Sequence, residues 1–337
     1  KQYRSNGCNY NFDKRTGHTA IWGAELEENP DYIFDGPMIA DIEITTKCSG
    51  PRGIPCPFCY KSNTSNGTNM SFDTFKRIFD KLPRTLTQIA FGADADLTAN
   101  PDIWKIMEYC RKGPQEVIPN ITIADASDET ADNLARLCGA VAVSRYADKN
   151  ICYDTVKKLT DRGMKQINIH IMISDETYDN VVETLLDIKQ DPRLAKLNAI
   201  VFLSLKNKGR GKNFTPLSQA RFNHLVRIAM LQKINFGFDS CSAMKFLKAV
   251  KDRPDYKQLE EMAEPCESAR FSAYIDVNGV YFPCSFSEGT PKWMTGIDVL
   301  AAENFVKDVW NHPRNVEFRN KGIQNIVTGT SCQLYKI

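Results

Sequence analysis

From Met38 to Gln232 the chain alternates between short apolar runs of strand length and longer segments with helical periodicity, and this rhythm constrains the fold more than any other feature. The strand candidates are Met38–Thr45, Gln88–Gly92, Asn120–Ala124, Ala140–Ser144, Gln166–Ile173 and Ala199–Leu205. The helix candidates are Ser71–Lys81, Pro101–Arg111, Asp128–Leu137, Tyr153–Arg162, Glu176–Gln190 and Ser218–Gln232. Ser71, Asp128 and Ser218 stand where helix caps belong. Six strands alternating with helices imply an α/β fold with a parallel sheet and right-handed crossovers, open or closed into a barrel. Sites in such folds lie at the C-terminal ends of the strands.

The loop after the first strand carries Cys48, Cys56 and Cys59 in the run Thr45-Thr46-Lys47-Cys48-Ser49-Gly50-Pro51-Arg52-Gly53-Ile54-Pro55-Cys56-Pro57-Phe58-Cys59-Tyr60. Its glycines and prolines keep it out of regular structure, so three sulfurs can converge. Three thiolates can hold three irons of a four-iron cluster and leave the fourth open for chemistry, whereas four cysteine ligands make an electron carrier. A structural zinc site and a redox Cys-x-x-C are the competing readings. Zinc needs a fourth ligand, and no histidine lies nearby at finger spacing. A redox pair would not need Cys48.

Composition narrows the class. The chain has 337 residues and eleven cysteines, an odd number without the spacing of a disulfide scaffold, so clustered cysteines read as metal ligands in a reducing compartment. The formal charge of +2, without a basic stripe, excludes a strong nucleic-acid footprint, and no nucleic-acid partner is expected. No apolar run reaches membrane-span length, and the polar start Lys1-Gln2-Tyr3-Arg4-Ser5-Asn6 lacks a signal-peptide core. The expectation is a cytoplasmic protein with no membrane partner.

The cysteine loop resembles that of the radical S-adenosylmethionine (radical SAM) superfamily, Cys-x3-Cys-x2-Cys followed by an aromatic or apolar residue. Here it reads Cys-x7-Cys-x2-Cys followed by Tyr60, a longer first spacing than the commonest form. The resemblance implies a partial (β/α)6 radical SAM barrel over residues 38–235, preceded by an N-terminal extension, residues 1–37. It implies a 4Fe-4S cluster on Cys48, Cys56 and Cys59 whose open iron chelates S-adenosylmethionine. One electron then cleaves the sulfonium C–S bond, and a 5′-deoxyadenosyl radical removes a substrate hydrogen. The family's Gly-Gly-Glu-like segment, which binds the methionyl amino group, would fall on Gly92-Ala93-Asp94-Ala95-Asp96, with Asp94 and Asp96 both open as the acid. Tyr60, Ser144 and His170 complete the expected cofactor residues; a lone strand histidine such as His170 is otherwise a core group. Lys206-Asn207-Lys208-Gly209-Arg210-Gly211 looks like the family's Gly-Arg loop, or is a solvated basic loop.

After Phe236 the strand–helix rhythm is expected to stop. Cys266 and Cys284 flank Gly279 as Cys-x12-Gly-x4-Cys, with a hairpin Phe271–Val277, Asn278-Gly279, Val280–Pro283 between them. This is similar to the SPASM and Twitch domains of radical SAM enzymes, and implies that residues 236–337 are a small C-terminal domain with an auxiliary 4Fe-4S cluster. Cys241 and Cys332 are its further expected ligands, whereas Cys8, Cys110, Cys138 and Cys152 read as buried thiols. Ser285 follows Cys284 where sulfatase-maturating relatives have an acidic base, so Asp239 and Tyr281 are the remaining candidates. The resemblance implies an oxidoreductase-type enzyme that modifies a peptide or protein side chain, with a flavodoxin or ferredoxin as reductant. Residues 1–37 are shorter than the leader-binding domain usual in such maturases. The alternatives are a modifier of a small metabolite or nucleoside, and an electron-transfer iron–sulfur protein.

Overall fold

The computed structural model describes residues 1–25, 28–92, 97–330, 332–335 and 337. Three short strands, β1 (Gln2–Ser5), β2 (Cys8–Phe12) and β3 (Thr19–Trp22), form an antiparallel meander within the N-terminal extension. Tyr3 and Tyr10 stack across β1 and β2, ring centroids 4.7 Å apart. The meander joins the rest through a small core that includes Tyr10, Ile33, Met38 and Phe271.

All six expected strands are present: β4 (Ile39–Ile42), β5 (Gln88–Phe91), β6 (Ile118–Ile123), β7 (Val141–Ser144), β8 (Ile167–Ile173) and β9 (Ala199–Ser204). So are the six helices: α1 (Phe72–Phe79), α2 (Ile103–Lys112), α3 (Asp128–Leu137), α4 (Lys149–Asp161), α5 (Tyr178–Asp187) and α6 (Gln219–Leu231). The rhythm does not stop at Phe236. A seventh parallel strand, β10 (Phe236–Phe238), pairs with β9, and α7 (Ala243–Val250) and α8 (Tyr256–Met262) follow. Three residues with a central glycine are too few for a periodicity to show.

The hairpin strands β11 (Ser272–Ile275) and β12 (Val280–Phe282) do not stand apart from the sheet. Strand β11 pairs parallel with β4, and β12 carries β13 (Ile297–Asp298). One ten-stranded sheet results, in the order β10-β9-β8-β7-β6-β5-β4-β11-β12-β13. The helix-side core is shared as well: Tyr281, Trp293 and Trp310 belong to the same buried cluster as Ile42 and Phe91. The last helix is α9 (Pro313–Val327). Among the described residues, no helix is long and apolar enough to cross a membrane.

Two local expectations need correction. Asp128 is the first residue of α3, not its cap; Ser127 Oγ accepts from Thr130 N at 3.1 Å. We expect Ser127→Ala to lower unfolding free energy by about 1 kcal/mol in urea titrations, and Asp128→Ala by less. The hairpin loop is one residue longer than a two-residue Asn-Gly turn. Asp276 N donates to Val280 O, Gly279 N donates back to Asp276 O, and Gly279 has φ +81°. The Asp276 carboxylate accepts from Asn278 N and Val280 N, which selects the three-residue loop.

Along β4, β8 and β9 the side chains alternate. Ala40, Ile42, Ile167, Ile169, Ile171, Ile200 and Phe202 are buried in the core, while Asp41, His170, Val201 and Leu203 turn to the other face. Asp41 and His170 line one cavity although β5, β6 and β7 lie between their strands, so the sheet curls around that face.

Candidate metal and cofactor centres

The Cys48–Cys59 loop leaves the C-terminal end of β4. Cys48 N donates to Thr64 O at 2.8 Å, and the Cys48 sulfur accepts from Gly50 N at 3.3 Å. Gly50 has φ +78°, and a Cβ there would meet Ile54 O at 1.8 Å, so no other residue fits the turn. Cys59 N closes on Cys56 O at 3.3 Å. Burial pushes the Cys56 thiol up to about 11, with Cys48 and Cys59 near enough to add to the shift. The Tyr146 hydroxyl lies near the Cys56 sulfur and Ser144, which brings the end of β7 to the loop. Among the described residues, no three His, Cys, Asp or Glu side chains are grouped as ligands of one metal ion. Cysteine ligands of a four-iron cluster each bind a different iron and stand farther apart than ligands of one zinc.

The Lys206–Gly211 loop docks on the cysteine loop. Arg210 Nε donates to Cys56 O at 2.8 Å, its backbone N to Cys59 O at 3.0 Å, and Nη1 to Asn63 O at 3.3 Å. Gly209, at φ +55°, passes so close that a Cβ would stand 2.4 Å from Tyr60 O. Beside Cys56 a cavity of about 430 Å³ opens, walled by Phe58, Tyr146, Met172 and Phe214. Phe58 and Tyr146 stack at 6.0 Å, and Phe214 meets Phe58 edge-on at 5.7 Å. Arg145, also on this wall, has a buried Nε without a partner among the described residues.

The four C-terminal cysteines converge from distant parts of the chain. Cys241 lies in the turn before α7, Cys266 before β11, Cys284 after β12, and Cys332 beyond α9. The Cys241 thiol stands near those of Cys266 and Cys332, and their interaction holds those two below the ordinary thiol range and Cys241 above it. Cys284 is pushed up to about 11 by burial, with Cys266 and Cys332 beside it. None of the eleven cysteines is in a disulfide, and Cys8, Cys110, Cys138 and Cys152 are buried.

Tyr60 and Lys61 join the two centres. The Tyr60 ring lies 4.5 Å from that of Phe286, two residues past Cys284, and its hydroxyl lies near Ser285. Lys61 Nζ donates to Tyr274 Oη at 2.9 Å, lies 3.2 Å from Glu43 Oε1, and pairs with Glu288. Lys208 Nζ donates to Ser285 O at 3.0 Å and Glu288 O at 2.7 Å.

The curled face of the sheet holds a larger cavity of about 830 Å³, whose wall Cys241 and Cys284 both reach. His170 lines this cavity, next to Ser144 across β7 and β8. Asp239 pairs with Lys206 on the same wall. Tyr281 is not available as a base, because its fully buried hydroxyl donates to Asn315 Oδ1 at 2.9 Å. Gly92 is exposed at the end of β5; Ala93, Asp94 and Asp96 lie outside the described residues. Asp41, Tyr146 and Glu267 stand at these candidate centres although no motif singled them out, whereas Arg210 belongs to the run that looked like the Gly-Arg loop. Asp41 and Glu43 do have a signal, two carboxylates at period two on one face of an apolar strand.

No protein-family model matches the chain, and no curated protein matches it in sequence. Solved structures do match in fold. SuiB from Streptococcus suis aligns with TM-score 0.62 at 14% identity, over 85% of this chain and 68% of that one. A second SuiB structure, bound to S-adenosylmethionine, aligns with TM-score 0.62 at 14% identity over 85% of this chain and 66% of its own. The enzyme anSMEcpe, with bound AdoMet and the Cp18Cys peptide, aligns with TM-score 0.58 at 14% identity, over 85% of this chain and 83% of that one. These neighbours are radical SAM enzymes, and the chain has their fold.

Proposed function

We propose that this chain is a radical SAM enzyme with one auxiliary cluster, acting on a peptide or protein side chain. The observation that carries the reading is the convergence of three cysteines and of four on the same side of a sheet curled around a cavity. That curl, with β4 to β9 parallel, supports a partial (β/α)6 barrel, and residues 236–337 supply the auxiliary ligands. Cys48, Cys56 and Cys59 would hold the first 4Fe-4S cluster; Cys241, Cys266, Cys284 and Cys332 would ligate all four irons of the second. Cysteines outside any disulfide in these two groups suit that donor set, since thiolates are the ligands. When bound, the first cluster with S-adenosylmethionine supplies one-electron cleavage of a sulfonium C–S bond and hydrogen-atom abstraction.

The chain's own residues bind, orient and exclude water. The aromatic cavity beside Cys56 suits the adenine ring, and the unpartnered Arg145 Nε suits an acceptor atom of the same cofactor. Ser144 and Gly92, at the ends of β7 and β5, remain the proposed polar and backbone contacts, with Ala93, Asp94 and Asp96 beyond Gly92. Arg210 holds the carbonyls of Cys56 and Asn63, which sets the loop before any iron arrives. A flavodoxin or ferredoxin would supply the electron. The larger cavity, of about 830 Å³, favours as a second reading a small metabolite as substrate.

The test is iron and sulfide per chain after anaerobic reconstitution. About eight irons should fall to about four when Cys48, Cys56 and Cys59 are all replaced by alanine. Cys284→Ala alone should lower iron while leaving S-adenosylmethionine binding in place. About four irons falling to none in the triple variant would remove the auxiliary cluster. Two closed clusters with no S-adenosylmethionine binding would make the chain an electron carrier.

A further inference from the structure

Two arginines, Arg145 and Arg314, have an enclosed Nε without a hydrogen-bond partner among the described residues. Arg145 still donates through its other nitrogens to Ala147 O and Glu183 Oε2, each at 3.1 Å. The Arg314 guanidinium has no such acceptor among the described residues. It lies 4.3 Å over the ring of Trp293, which is buried. Stacking uses the face of a guanidinium, whereas its N–H groups point outward in the plane. The contact with Trp293 therefore leaves those donors unused. A charged group whose enclosed N–H meets no acceptor is costly, so the position calls for one.

Arg314 lines a cavity of about 230 Å³ with Pro291, Trp293 and Phe318 as apolar wall. Trp293 and Phe318 meet edge-on there at 6.2 Å. Lys321 stands two turns beyond Arg314 on α9 and lines the same cavity, as does Lys292. One carboxylate faces these three cations among the described residues, that of Glu317. It is engaged by Lys292 at 2.8 Å, and Lys292 holds it below the usual carboxylate range. The first turn of α9 carries no acidic side chain. Burial pulls Arg314 down, and no described carboxylate offsets it. Arg314 and Lys321 are thus left with positive charge that no described residue balances. The planar fork of a guanidinium matches the two oxygens of a carboxylate. The volume lies below the roughly 300 Å³ at which sites for whole small molecules begin, so it suits a short group.

We infer that this cavity binds a carboxylate on a short apolar group, its oxygens held by Arg314 with Lys321 as second cation and its apolar part against Trp293 and Phe318. The inference does not rest on the radical SAM reading. The same group could come from a free branched-chain acid or from the C-terminus of a peptide.

The experiment is calorimetric titration of the reconstituted full chain with isovalerate, isovaleramide, N-acetyl-glycyl-leucine, the C-terminal amide of that dipeptide, and methyl phosphate. Isovalerate or the acetylated dipeptide should bind, and neither amide should. Binding of isovalerate alone indicates a free acid; binding of the dipeptide alone indicates a peptide C-terminus. Arg314→Gln should weaken the bound carboxylate about tenfold or more, with circular dichroism and iron content unchanged. If that variant fails to fold, Lys321→Ala, at an exposed position, is measured in its place and should weaken binding about threefold. Binding of neither acid, amides binding as well as the acids, tighter binding of methyl phosphate than of both acids, or unchanged affinity in the variant overturns the proposal.

Discussion

Cys59→Ala is expected to abolish S-adenosylmethionine cleavage and to cost the protein its first cluster while leaving the fold in place. The sulfur at position 59 is one of only three on its loop, and two ligands do not hold a four-iron cluster with an open site. The loop would not collapse with it. Arg210 still holds Cys56 O and Asn63 O, and Cys48 N still reaches Thr64 O, none of which needs the Cys59 side chain. Circular dichroism should therefore be unchanged, iron should drop from about eight to about four per chain, and 5′-deoxyadenosine release should fall to background. Cys110→Ser is the control, since Cys110 is buried within α2 and should leave iron alone. Wild-type cleavage by the Cys59→Ala protein would refute the first centre.

The second large effect is expected at Gly209. Gly53 and Gly209 both have left-handed backbone, at φ +80° and φ +55°. Around Gly53 a Cβ would find open space, whereas at Gly209 it would stand 2.4 Å from Tyr60 O and 2.7 Å from Cys59 O. Gly53→Ala should cost only the backbone penalty, about 1–2 kcal/mol. Gly209→Ala adds a clash between two backbones, about 1–3 kcal/mol more, or it lifts the Arg210 loop off the cysteine loop. Iron bound at the first centre should then fall sharply in Gly209→Ala and stay near wild type in Gly53→Ala. Equal behaviour of the two variants in urea titration and iron uptake would show that the docked loop does not organise the centre.

Local physics made much of this molecule legible. Ser71 and Ser218 announce α1 and α6 because an exposed hydroxyl before an apolar repeat satisfies the first turn whatever surrounds it, and both accept from the third residue beyond. Strands β4 to β9 announce themselves because each buries a face against helices. Strand β10 escaped because three residues contain no period. The meander β1–β3 escaped because its core, with Tyr10 and Ile33, depends on Met38 and Phe271, which are remote in the chain. The hairpin loop was misread by one residue because Asp276, not the Asn-Gly pair, supplies the bonds that select its length.

The candidate centres divide in the same way. Cys48, Cys56 and Cys59 lie on one short loop, so their proximity is a property of chain connectivity, and reading them needed no fold. The approach of Cys241 to Cys266 and Cys332 depends on β10 and β11 lying at remote positions of one curled sheet and on the chain after α9 bringing Cys332 to them. The same curl brings Asp41 and His170 to one cavity. By itself the sequence determined the alternating elements, the first cysteine loop and the hairpin between Cys266 and Cys284, because each is set by contacts between near neighbours. Only the tertiary structure decided which distant thiols meet, that the Lys206–Gly211 loop seats the cysteine loop, and which strand residues share the large cavity. Those outcomes follow from how one sheet closes on itself, which no local pattern encodes.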